Sequence, residues 1–394
     1  VRWLGPVLSI TTPMVYLYSV LCCLFLFPYL GWRGGQALGA RARRAFWGLL
    51  ATIFVLFFLC LATHRLFQAD WMSAVMNGMV YIFFSTLYVA AAVFLINGLR
   101  RLDARYWGCY GRLGLRGQRW LKQGLFAALV LLFFGLMVVG HHNVRYPQVV
   151  HRRMVLSRLT PAGAEPRQRM RLVFFSDLHI GEAMTPDYVG RAVDLILAQR
   201  PDVILSGGDF IDHLSEYAYD PRVMKLMRRL HAGAPSGAYY VLGNHEYRAD
   251  TMANIRYVAE TGATLLRDST ALIVSPRGDS LRLIGRDDAV NEERHPLESF
   301  FAGAPSSLPT ILMEHTPKSI DSLSLYPMDL MLCGHTHGGQ IWPGQLLVWA
   351  RVGMASGLRR EGERELYISQ GIGSAGATYR IGTRSEIVVY DLWW

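Results

Sequence analysis

The sequence predicts an α/β domain over residues 171–394, preceded by an all-α domain of four transmembrane helices over residues 1–145. Three observations carry this prediction. Long apolar runs crowd the first third of the chain, while the remainder has the composition of an ordinary globular domain. From residue 171 onward, short apolar runs alternate with stretches of helical period, the pattern of strands interleaved with helices. Asp, Asn and His gather where those apolar runs end, as they do when a site forms outside the carboxyl ends of strands.

The length, 394 residues, exceeds that of a usual single domain. The formal net charge is +10. A basic total by itself fits nucleic acid, but here much of the excess lies between hydrophobic stretches. That distribution serves membrane orientation, and no nucleic-acid partner is expected. The five cysteines have no spacing of a disulfide framework or a zinc site and read as small hydrophobes.

Segments 7–30, 45–63, 72–96 and 124–140 each approach the ~20 apolar residues that cross a bilayer. The first lacks a small-x-small exit and is followed by further spans, so it reads as a span and not a cleaved leader. Pro13 and Pro28 kink or bound it. Loop one carries Arg33, Arg41, Arg43 and Arg44, and loop three carries Arg100, Arg101, Arg105, Arg112, Arg116, Arg119 and Lys122. The connection between them has only Arg65, balanced by Asp70. The positive-inside rule places loops one and three in the cytoplasm. With four spans, the large C-terminal domain then lies on the outer (periplasmic) face of a plasma or inner membrane. Trp32, Trp47, Trp71, Trp107 and Trp120 fall near segment ends, as interfacial tryptophans do. No charge lies deep in a span, which favours an anchor over a transporter. Asn77 and Asn97 fit helix–helix hydrogen bonds.

Residues 146–170 read as a basic juxtamembrane linker, broken by Pro147, Pro161, Gly163 and Pro166, with one strand near 154–159. In the domain that follows, 172–176, 202–206, 238–242, 264–266, 272–275, 281–284, 310–314, 330–333, 366–369 and 386–390 read as strands. Residues 187–199, 223–230 and 251–260 have helical spacing. The late run of strands with few helices implies a second, mixed sheet.

The strand ends carry the chemistry. They read Asp177-x-His179, Gly208-Asp209, Gly243-Asn244-His245-Glu246, His315 and Gly334-His335-Thr336-His337. Each alone also fits a turn, a cap or a core histidine. Together they offer the nitrogen and oxygen atoms that two adjacent divalent ions require, with a carboxylate suited to bridging. The adjacent glycines let the backbone turn sharply and come close.

This ordered set resembles the calcineurin-like metallophosphoesterase superfamily. Gly334-His335-Thr336-His337-Gly338-Gly339-Gln340-Ile341-Trp342-Pro343 and Gln370-Gly371-Ile372-Gly373 look like its bacterial YkuE-type branch. The resemblance covers residues 171–394. It implies a four-layer α/β/β/α sandwich with two mixed sheets and a metal-dependent phosphoester hydrolase. It also implies two divalent metal ions, manganese first with iron or zinc as alternatives. Carried over residue by residue, Asp177, His179, Asp209 and His337 hold the first metal. Asp209 bridges to the second, which Asn244, His315 and His335 complete. A hydroxide between the ions attacks phosphorus in line, and His245 offsets charge on the leaving oxygen. Asp212 reads as a partner of a ligand or as a surface turn.

The substrate reading is a phosphomonoester, phosphodiester or pyrophosphate in a lipid-linked or envelope compound. The bilayer and that phosphorylated substrate are the expected partners. Trp342, Leu346, Leu347 and Trp349 either form an apolar lip for an acyl chain or pack under the second sheet. Arg351, Arg359, Arg360, Arg380 and Arg384 are candidates to meet further phosphates. Trp393 and Trp394 dock at the bilayer or cap the core. Two alternatives stand beside this one. In the first the enzyme acts on a soluble substrate and the membrane part only anchors it. In the second a membrane sensor or scaffold binds a phosphorylated ligand without hydrolysing it; His245 speaks against that.

Overall fold

A computed structural model describes residues 27–394 except 64–69, 161–162, 182, 213–214, 249 and 304–306. The chain divides into two compact units, Val1–Val139 and Gly140–Trp394.

The first unit is helical: α1 (Phe27–Gly35), α2 (Ala40–Thr63), α3 (Asp70–Tyr106), the single turn α4 (Cys109–Arg112) and most of α5 (Leu115–Arg145). Most of the expected span 7–30 lies outside the described residues. Helix α2 covers the expected segment 45–63. Among the described residues two stretches, Val80–Tyr106 and Leu115–Arg145, are long and apolar enough to cross a membrane. At 1.5 Å per residue the second is roughly 46 Å long, more than the ~30 Å of a hydrocarbon core. Leu131, Phe134 and Val138 along it are exposed, as side chains that face lipid would be. Helix α3 runs on through arginines expected in a loop, because long basic side chains do not break a helix. The Asp103 carboxylate accepts the Cys109 and Tyr110 N–H groups just past its end. Asn97 donates to the Tyr29 hydroxyl, the inter-helix bond expected of it.

The second unit holds two six-stranded sheets. Sheet one is ordered β1-β12-β2-β3-β4-β5, with β1 (Gln148–Val155), β2 (Arg169–Phe175), β3 (Val203–Ser206), β4 (Ala238–Tyr240), β5 (Thr264–Leu265) and β12 (Glu386–Trp393). Sheet two is ordered β10-β11-β9-β8-β7-β6, with β6 (Ser269–Val274), β7 (Ser280–Gly285), β8 (Thr310–Met313), β9 (Leu330–Cys333), β10 (Gly357–Glu361) and β11 (Arg364–Ile368). Both are mixed. β2, β3, β4 and β5 run parallel, as do β7, β8, β9 and β11, while β12 against β2, β6 against β7 and β10 against β11 are antiparallel.

Burial on both faces explains the unbroken apolar strands. In β2, Met170, Leu172 and Phe174 face the core between the sheets with Leu283, Ile311 and Leu332. Val173 and Phe175 face the helices α6 (Pro186–Ala198), α8 (Pro221–Ala232) and α9 (Thr251–Glu260). The short α7 (Ser215–Ala218) precedes α8. The outer face of sheet two buries Leu312, Met331 and Leu366 under 3-10 turns at Leu297–Phe300 and Ile320–Ser322. The fourth layer is therefore made of turns and not long helices: residues 286–309 lack helical period and are broken by Pro296, Gly303 and Pro305.

Within residues 146–170, read from sequence as a linker, β1 forms an edge strand parallel to β12, from Gln148 opposite Glu386 to Val155 opposite Trp393. Arg152 and Arg153 lie over the rings of Tyr367 and Trp393, so this basic strand packs through its guanidinium planes. Trp394 caps the inter-sheet core.

Candidate active site

Parallel strands put their carboxyl ends at one edge, and there the apolar runs stop and the chain must turn. Neighbouring turns are laced by backbone bonds: Asp177 N–H donates to the Gly208 carbonyl, His179 N–H to Asp209, and Gly334 N–H to His315. The turns are tight. Asp177, His179, Asp209, His335 and His337 all take positive φ, between 49° and 71°. Backbone strain of this kind persists only where the surroundings impose it, and it concentrates at working sites. A Cβ on Gly243 would stand 2.2 Å from Asp209 Oδ1, and one on Gly334 2.6 Å from Asp177 Oδ2. Only glycine lets these strands come so close to the carboxylates.

Two groups of side chains meet here. Asp177, His179 and His337 offer atoms within 4.8 Å of one another, and so do Asp209, His315 and His335. In the first, His179 Nε2 is 3.1 Å from His337 Nε2, which is 3.4 Å from Asp177 Oδ1. In the second, His315 Nε2 is 3.2 Å from Asp209 Oδ2. Asn244 Oδ1 lies 2.8 Å from His335 Nδ1. Asp209 Oδ2 is also 3.8 Å from His179 Nε2, so this carboxylate stands between the groups. Ligand atoms that share one ion at about 2.1 Å are roughly 3 Å apart, which these separations match.

The hydrogen bonds leave the right atoms free. His315 Nδ1–H donates to the Gly207 carbonyl at 2.7 Å. Its Nε2, fully buried, has no hydrogen-bond partner. A buried lone pair aimed at a carboxylate fits a cation. Burial opposes charge on His315, but Asp209 outweighs it and holds the imidazole well above its usual range. Burial likewise opposes charge on Asp209, and His315, with His179 and His245, brings its carboxyl well below the usual range.

A sequence match decides what this arrangement belongs to. Residues 170–339 match the model of the calcineurin-like phosphoesterases. The phosphodiesterase YaeI of Escherichia coli is 30% identical over 56% of this chain and 82% of its own. The chain is a calcineurin-like phosphoesterase. A metallophosphoesterase of Bacillus subtilis, YkuE, is 26% identical over 70% of this chain and 97% of its own. A zebrafish (Danio rerio) transmembrane protein with a metallophosphoesterase domain is 26% identical over 89% of this chain and 82% of its own. The family uses a dinuclear divalent metal centre, and the enzyme is a metal-dependent phosphoester hydrolase. The apolar helices and the transmembrane relative support membrane association.

Every residue expected in this phosphoesterase site reaches it. His245 lies at its edge, Nε2 3.9 Å from Asp209 Oδ2, with its own N–H donating to Asp209 Oδ1. Its Nδ1 donates to Asp212 Oδ1 at 2.9 Å. Asp212, left open between partner and surface turn, is a partner: the same oxygen is 3.6 Å from His179 Nδ1. Burial works against charge on His245, but Asp212 and Asp209 prevail and raise its pKa, while Arg248, with Nη1 2.6 Å from Nε2, pulls the other way. Glu246 is a brace and not a ligand. Its carboxylate accepts the N–H groups of Asp209, Ile211 and Gly243, and burial followed by the Asp209 charge pushes it up to about 7.

The arginines need correction. Arg380 does not meet substrate phosphate. It is fully buried and donates to His337 Nδ1 and to the carbonyls of His337, Gln370 and Gly373. Arg359 pairs with Asp321 and Glu361, and Arg360 with Glu365. Arg380 sits in no motif, 43 residues from His337, so sequence held no signal for its contact with the site. Arg248, three residues past His245, was also missed.

Proposed function

We propose that this chain is a membrane-anchored phosphoesterase with a two-ion centre, held by Asp177, His179, Asp209 and His337 on one side and by Asp209, Asn244, His315 and His335 on the other. The observation that carries the reading is Asp209, standing between two imidazole-rich groups with the buried His315 Nε2 3.2 Å from its Oδ2 and making no hydrogen bond. Bound there, the ions would supply Lewis acidity and a nucleophile usable near neutral pH. Manganese is the first expectation, carried from the family resemblance; nitrogen and oxygen donors without thiolate allow it, as they allow iron or zinc.

The chain's own residues do the rest. His245, whose pKa Asp212 raises, stands beside Asp209 and can hold a proton at Nε2 for the leaving oxygen, a contribution of ~10²–10⁴ in rate. That requires Arg248 to release Nε2, and an arriving phosphate is a stronger acceptor for its guanidinium. Glu246 and Arg380 fix the turns and the ring of His337.

We place the anchor in four spans, with the phosphoesterase domain on the outer face of the plasma or inner membrane, following the arginine bias of the loops. The substrate class that suits such an anchor is a lipid-linked or envelope phosphoester, because tethering raises its effective concentration. Manganese-dependent hydrolysis of bis(p-nitrophenyl) phosphate tests the chemistry. Asp209→Asn and His245→Ala should abolish it, and wild-type turnover in both variants would sink the assignment. Release of phosphate from lipid extracts by the full chain, lost on deletion of 1–145, tests the substrate class.

A further inference from the structure

Helix α10 (Gly344–Val352) follows the paired histidines directly. The Gly339 backbone, two residues past His337, lies against Gly344 and Gln345. None of its side chains is fully buried. Leu346 is 59% exposed, Leu347 75% and Trp349 63%, with Trp342 at 54% just before it. At 100° per residue, Trp349, Leu346, Ala350 and Leu347 form one continuous face, and the exposed Arg351 borders it. Val352, on the opposite side, packs against the core of sheet two. The usual surface helix hides its apolar stripe and shows its polar one. This helix shows an apolar face, and Trp342, Leu346, Leu347 and Trp349 do not pack under the second sheet.

A second observation says what covers that face. Trp342 N–H donates to the Ile381 carbonyl, tying the root of α10 to residue 381. Next along the chain, Arg380 N–H donates to the Gly140 carbonyl, Asn143 Nδ2 to the Arg380 carbonyl, and Ser385 N–H to Asn143. Gly140 and Asn143 belong to the last turns of α5, a helix long and apolar enough to cross a membrane. The exposed face is therefore rooted one residue from the seat of that helix's end. Tryptophan beside leucine with a bordering arginine is the composition of a bilayer interface, where the ring spans the boundary and the guanidinium meets anionic headgroups.

We propose that Trp342 and the Leu346–Leu347–Trp349 face of α10 insert into the interface of an anionic bilayer, so that the histidine turn at 335–337 opens toward the headgroup layer. This rests on the membrane-anchored reading and adds to it where the site faces. Amphiphiles whose phosphate lies at headgroup depth are then the substrates presented to it.

The test uses the full chain, one copy per nanodisc, in phosphatidylglycerol with brominated acyl chains that quench nearby tryptophan. The chain has ten tryptophans. If Trp342 and Trp349 are in lipid, Trp342→Phe/Trp349→Phe removes two quenched emitters and the quenched fraction of emission falls. If they are in water, the variant loses two unquenched emitters and that fraction rises, which overturns the proposal. An unchanged fraction overturns it too. Cross-linking of Leu347→Cys between chains in multi-copy discs, alongside a rising fraction, would assign the face to a second copy of the chain. Turnover of bis(p-nitrophenyl) phosphate within twofold of wild type shows that the variant is folded. A wild type that enters discs but hydrolyses nothing would count against the phosphoesterase reading alone, and one that fails to enter discs against the anchor.

Discussion

The two walls of the site are built differently. Sheet one, through the ends of β2, β3 and β4, brings both carboxylates, Asp177 and Asp209, together with Asn244 and His179. Sheet two, through β8 and β9, brings only imidazoles: His315, His335 and His337. Each candidate ion position draws on both walls, so neither sheet holds an ion alone. Negative charge is confined to one wall, and the other supplies only imidazole nitrogens, which carry no fixed charge. The difference shows how the site tolerates being buried: Asp209 faces His315, whose pKa it raises, and the Asp177 carboxylate accepts the His335 N–H, so neither buried carboxylate is left without a partner.

That contrast predicts unequal losses. Asp209→Asn, on the charged wall, should lower turnover at least ~10³-fold and release both ions. His315→Ala, on the imidazole wall, should release one. Metal content per chain distinguishes the two, and equal stoichiometry would break the contrast. Chelation should come next. The ion-loaded protein gains about 4 kcal/mol when free ion is a thousandfold above its dissociation constant. The melting temperature in EDTA should therefore fall by several degrees. No change would mean that the folded and unfolded chains bind ions equally.

A smaller loss is expected where a residue orients a histidine without touching an ion. Asp212→Asn should reduce turnover about 10–100-fold. It should also move the alkaline limb of the pH profile to lower pH, because His245 acts protonated and the carboxylate that raises its pKa is gone. A merely structural role would leave that profile in place. The smallest effect belongs to a histidine outside the site. His231 donates from Nδ1 to the Thr261 carbonyl, and its Nε2 accepts from the Tyr240 hydroxyl. Burial lowers its pKa to about 4 from 6.5, against the raising effect of Thr261. The unfolded state then takes up a proton first, so stability is full above pH 6.5 and is lost as pH falls toward about 4. The loss is roughly 2 kcal/mol between pH 6.5 and about 5. Denaturant midpoints of wild type and His231→Gln should converge over that window; parallel curves would remove His231 as the cause.

The ligand set was legible because each member closes an apolar run and a glycine stands next to most of them. That combination depends on local chain geometry, which sequence displays. What was not legible depends on distant partners. Strand β1 carries His151, Arg152 and Arg153 among its eight residues and looked like a tether, yet β12 supplies its pairing from 238 residues away, as at Gln148 and Glu386. Arg380 gave no local sign of its role because its acceptors are carbonyls and a ring fixed by the fold. The apolar residues of α10 would normally mark a buried segment, and only the structure distinguishes outward from inward.

The left-handed backbone at Asp177, His179, Asp209, His335 and His337 sets a limit on improving this molecule. Conformations of that kind cost on the order of 1 kcal/mol or more apiece, against the 5–15 kcal/mol that keeps a typical domain folded. A sizeable share of the molecule's resilience is thus held down at five turns of the candidate ion site. Efforts to harden it against heat should leave those turns alone and work on α6, α8 or the inter-sheet core, since easing the chain at the turns would displace the proposed ligands.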